Sequence, residues 1–177
     1  MSRVKQLETL IENWLKPLPH LPNDIQKWIA NNVWWITLVA AFGSAIATLM
    51  ALSGIFAYMS FVGNASNYVG FYAVSSYATG WIWSAVVSLA FLAISTVLLS
   101  KAVTPLKEHR RWGWDLMFII LLIGAAQAFL SAVFSFSFFE FIFGVIFSAL
   151  GLTISAWLLF GIRSYFVKSV KTNNTKQ

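Results

Sequence analysis

Two long stretches without charge constrain this chain more than any other feature. Between Lys27 and Lys101 there is no Lys, Arg, Asp, Glu or His, and between Asp115 and Arg163 the only charged residue is Glu140. A helix needs about 20 apolar residues to cross ~30 Å of hydrocarbon, so each stretch is too long for one span and suits two. Water offers no alternative. The chain is 59% hydrophobic and 10% charged, where an ordinary soluble domain carries about 25% charged residues. The runs exceed strand length and lack the alternation of barrel strands, which leaves helices. The sequence therefore predicts an all-α integral membrane protein, with four transmembrane helices in two antiparallel hairpins forming a bundle.

The breaks fall where polar residues or turn formers collect. Helix one is expected over about Val33 to Ser60, followed by the polar run Gly63-Asn64-Ala65-Ser66-Asn67 and an aromatic loop to Thr79. Helix two is expected over about Gly80 to Ser100, then a charged loop from Lys101 to Arg111. Helix three runs from about Trp114 to Phe134. A tight turn spans Ser135 to Glu140, and helix four runs from Phe141 to Tyr165.

Orientation follows from the basic residues. Arg3, Lys5, Lys16 and Lys27 precede helix one; Lys101, Lys107, Arg110 and Arg111 lie between helices two and three; Arg163, Lys168, Lys171 and Lys176 end the chain. With four spans these segments share one side, and the loops on the other side hold no Lys or Arg, which predicts that both termini are cytoplasmic in a plasma (inner) membrane. Trp34, Trp35, Trp112, Trp114 and Trp157 fall near that side, and Trp81 and Trp83 near the other, as interfacial indoles do. The net charge of +6 is then explained by the anionic inner leaflet and calls for no nucleic acid partner.

Residues 1–32 form a cytoplasmic segment, 33–166 the transmembrane domain and 167–177 a basic tail. In the first, Val4, Leu7, Ile11, Trp14 and Leu18 recur at three- and four-residue steps, opposite Arg3, Lys5, Glu8, Glu12 and Lys16. This pattern predicts an amphipathic helix on the inner leaflet. Pro17, Pro19 and Pro22 end it; Asn23 or Asp24 can cap a second short helix that presents Ile25, Trp28 and Ile29. The first long apolar run starts too late for a secretory signal, and no lipidation motif is present.

Small residues at four-residue spacing let membrane helices approach closely. Candidate packing positions are Gly43, Ala47 and Ala51, with Ala40, Ser44 and Thr48 beside them; Gly124 and Ala128, continued by Ala132; and Gly144, Ser148, Gly151 and Ser155. They serve packing within the bundle, or self-association where a stripe is left over. Leu92–Leu99 and Leu152–Leu159 agree at five of eight positions. That fits either a duplicated hairpin or the small alphabet of membrane helices.

Few residues offer chemistry. With no cysteine, disulfides, thiolate metal sites and the cysteine-marked four-span families (claudin-like proteins, tetraspanins, disulfide-generating enzymes) are excluded. Small multidrug exporters use a Glu in helix one, where this chain has none. His20 and His109 are isolated from acids at ligand spacing, so no metal or other cofactor is expected. Gln127 is the candidate intramembrane polar residue, as interhelical glue or as the lining of a path. Glu140 and Asp115 each stand at a helix N-terminus, where a carboxylate is favoured. Lys107, Arg110 and Arg111 are the candidate contacts to lipid headgroups. The uncharged outer loop, with Phe61, Tyr68, Phe71, Tyr72 and Tyr77, is a candidate docking surface; Asn64-Ala65-Ser66 also fits a glycosylation sequon. Together these features predict a non-enzymatic accessory or structural subunit acting through helix, lipid and partner contacts. Its partners are membrane lipids and another membrane protein or a second copy. The competing expectation is a small-solute transporter or channel without proton or sodium coupling.

Overall fold

The computed structural model describes residues 3–65, 71–133 and 138–166, and every element among them is a helix. In chain order these are α1 (Arg3–Leu15), α2 (Asn23–Ala65), α3 (Phe71–Lys107), α4 (Arg111–Val133) and α5 (Phe138–Gly161). The last four are long and apolar enough to cross a membrane. Neighbours in sequence pack on one another, α2 on α3, α3 on α4 and α4 on α5, while α1 packs on α5.

α2 and α3 are longer than the sequence pattern suggests. α2 has 43 residues, about 65 Å at 1.5 Å per residue, because the expected short helix after Pro22 runs straight into the first span. Asn32 sits inside it without breaking it, since its amide donates back to the Trp28 carbonyl at 2.8 Å. α3 begins at Phe71, so residues 71–79, expected as a loop, are helical; the rest of that loop beyond Ala65 lies outside the described residues. α3 also continues through Pro105 to Lys107. Proline has no N–H, so the Lys101 carbonyl loses its helical donor close to the helix end.

That end is closed by a Schellman motif. The Arg110 amide donates to the Pro105 carbonyl at 2.9 Å and the His109 amide to that of Leu106 at 3.1 Å. His109 holds the left-handed position, φ 53°, that glycine usually takes. Its ring stacks on Phe166 with centroids 5.6 Å apart. The turn brings α4 back so tightly that a Cβ on Gly113 would stand 2.8 Å from the Leu106 nitrogen. The two helix ends meet there backbone to backbone.

The tightest packing lies at this end, which carries the basic residues. Ala30, Val33, Ala102, Leu106, Trp114, Leu116, Phe118, Leu159, Ile162 and Phe166 form one buried cluster. Further along, the helices leave large apolar side chains such as Phe42, Leu49, Phe147 and Ile154 exposed. Polar cross-links are few. Thr96 of α3 donates to Ser44 of α2 at 3.1 Å and lies 3.4 Å from the Thr48 hydroxyl.

Candidate functional site

Trp114 is the base of the site. It opens α4 beside Gly113, and the close approach to α3 buries it to 1% exposure. Its indole donates to the Leu159 carbonyl at 2.9 Å, tying the start of α4 to the end of α5. Phe118 stacks beside it at 5.5 Å, and Phe160 meets both rings edge-on. Two guanidinium groups lie over the indole, Arg111 at 5.0 Å and Arg163 at 5.5 Å from its centroid. The electron-rich ring face attracts both, each by about 0.5–2 kcal/mol depending on how far it is desolvated.

α1 supplies the counter-charges. Glu8 is nearly buried, its side chain 10% exposed, and a single carboxylate oxygen receives Arg111 at 2.9 Å and Arg163 at 2.5 Å. One turn on, Glu12 takes the other end of Arg163 at 2.6 Å, and Asp115 takes the Arg111 Nε at 3.1 Å. Two cations and three acids thus join α1 to α4 and to the residues that follow α5. Helical spacing puts Glu8, Ile11, Glu12 and Leu15 on one side, and this side faces the protein. Leu7, Leu10 and Trp14 are left exposed. The sequence pattern separated two faces of α1 and turned the apolar one to the inner leaflet, without assigning a face to the protein; the structure docks the acidic edge.

The linker after α1 is fastened too. The Pro19 carbonyl accepts from the Trp157 indole at 2.9 Å, and the Leu21 carbonyl accepts from the Gln26 amide at 2.8 Å. Leu21 itself is buried against Gly161, where a Cβ would come within 2.7 Å of its Cδ1. A cavity of about 390 Å³ remains between the linker and the end of α5.

The residues nominated as headgroup contacts each also make a contact within the chain, while Lys107 and Arg110 remain exposed. Lys107 lies 5.2 Å over the Trp34 ring, Arg110 pairs with Glu108 at 2.5 Å, and Arg111 belongs to the network around Glu8. Gln127 is half-buried and shares with Ser84, Ser88 and Ser131 a cavity of about 10 Å³, room for one water at most. Among the small residues, Gly124 faces α5, with its Cβ position 3.8 Å from Leu152, and Ala128 is half-buried. Nothing in the described structure comes within 4 Å of a Cβ on Gly43, Gly144 or Gly151. Ala47 and Ser155 are exposed, and Ala51 and Ser148 half-buried. The tail 167–177 lies outside the described residues. Sequence reasoning passed over Glu8, Arg163, Gly113 and Gly161; only an acid pair one turn apart on α1 hinted at a cationic partner.

No known protein family matches this chain, and no curated protein or solved structure is detectably similar to it.

Proposed function

We propose that this chain is a non-enzymatic accessory subunit of a membrane assembly, and that it works through the end where α1 is docked. The observation that carries the reading is the way α1 is held. Its acidic edge is fixed to Arg111 and Arg163, which leaves the Leu7, Leu10 and Trp14 edge open to lipid or to a partner. A helix fastened through charge and apolar on its free side suits an interfacial position at the inner leaflet. The convergence of Arg111 and Arg163 on α1 supports a cytoplasmic location for this end under the positive-inside rule.

Contacts along α4 and α5 support an antiparallel hairpin, since Trp114 reaches Leu159 while Gly124 faces Leu152, so numbering rises in one helix as it falls in the other. The acids and bases that meet at the site neutralise one another as ion pairs, which favours a structural role over proton transfer. The 10 Å³ between Gln127 and its serines is too small to pass a solute, which favours packing over a path. The test is association. Deleting residues 1–22 should leave membrane insertion intact and reduce co-purification of the partner; unchanged association would sink the proposal.

A further inference from the structure

The 390 Å³ cavity falls within the ~300–1,000 Å³ of small-molecule sites, and its lining divides in two. Leu15, Leu18, Trp157 and Phe160 supply apolar lining, and the exposed Lys16 and His20 supply polar lining. Arg163 and the carboxylate of Glu12 also line the cavity, but they pair with each other, and the second terminal nitrogen of Arg163 is taken by Glu8. Lys16 makes no ion pair among the described residues, so its three donors are available. A free cation in the same cavity as a hydrocarbon lining suits an anion that carries hydrocarbon. An inorganic anion would leave the apolar lining unused, and a polar neutral solute would leave both unmatched. Below the cavity the apolar lining continues. Ile154 and Leu150 follow Trp157 at three- and four-residue steps, which keeps them on its face of α5, and both are more than half exposed.

We infer that this cavity binds the headgroup region of an anionic phospholipid, its phosphate on Lys16 with His20 as a second donor and its acyl chains along Trp157, Ile154 and Leu150. The inference rests on the reading that this end lies at the inner leaflet. It places the lipid cation on the linker, since Lys107, Arg110 and Arg111 do not line the cavity. The bound lipid would brace the α1–α2 linker against α5.

Native mass spectrometry of the purified full chain, in micelles containing equal phosphatidylglycerol and phosphatidylcholine, tests this without any partner protein. One phosphatidylglycerol should be retained in preference to phosphatidylcholine. Lys16→Gln should lower that retention about fivefold, the effect of roughly 1 kcal/mol per basic residue near an anionic surface. Lys101→Gln removes an exposed cation that does not line the cavity and should leave retention unchanged. Equal retention of the two lipids would remove any preference for an anion, and equal losses in the two variants would reduce the preference to general surface charge; either would overturn the site. Displacement of the lipid by millimolar inorganic phosphate would overturn it as a lipid site. If the lipid is retained but no partner is ever found, the proposed function fails and this site stands.

Discussion

Glu8→Ala is the perturbation that most directly tests how α1 is held. Glu8 accepts from both arginines and is nearly buried, whereas Glu12 accepts from Arg163 alone and is 48% exposed. A hydrogen bond to a charged group contributes about 1.5–3 kcal/mol, and an exposed ion pair about 0–1 kcal/mol. The two arginines are 27–32% exposed, so water softens the loss at Glu8. Removing it also leaves two guanidinium groups over one indole without the carboxylate between them. The expected cost to docking is about 2 kcal/mol for Glu8→Ala and under about 1 kcal/mol for Glu12→Ala, weighing these two effects. Hydrogen exchange of the α1 amides reads the docked fraction: 2 kcal/mol corresponds to about a thirtyfold loss of protection, with α2–α5 unaffected. Raising salt should weaken docking further in Glu8→Ala than in the parent chain, because the pairs left behind are the more exposed ones. Equal effects of the two alanines, or no effect from Glu8→Ala, would refute the claim that a buried carboxylate holds the helix.

Two glycines should respond differently to the same substitution. Gly113→Ala sets a methyl against the backbone of Leu106 and Pro105, which cannot turn aside, whereas Gly161→Ala meets only the tip of Leu21. Thermal unfolding in detergent should show a loss of about 2–3 kcal/mol for the first and under about 1 kcal/mol for the second. The reverse order would mean that the α3–α4 junction is looser than described. At His109, alanine keeps the left-handed strain and loses the ring stack on Phe166, so it should cost about 1 kcal/mol. Glycine relieves the strain as it loses the stack and should fall within about 0.5 kcal/mol of the parent. Alanine proving more stable than glycine at 109 would contradict the cap geometry.

Much of the architecture was legible because the absence of charge is a property of the chain read in one dimension. Four apolar helices follow from it whatever the packing. Helix ends were less legible: Asn32 and Pro105 look like interruptions, yet a side-chain back-bond absorbs one and nearness to the terminus the other. At α1 the periodicity separated two faces but carried no information on which one meets the protein, because the arginines opposite Glu8 lie 103 and 155 residues away along the chain. Small-residue spacing marked several stripes equally well; among the described residues Gly124 faces Leu152 of α5 and Ser44 and Thr48 meet Thr96 of α3, whereas Gly43, Gly144 and Gly151 face open space. The glycines where backbone or side chain comes nearest, Gly113 and Gly161, stand alone among bulky residues, so no repeat reveals them.

The central claim is that this chain serves a larger assembly through its α1 end. Native mass spectrometry after gentle extraction from the original membrane tests it most directly. The account predicts a stoichiometric complex with a different protein, lost when residues 1–22 are removed. A bare monomer or a homo-oligomer, unchanged by that deletion, would contradict it.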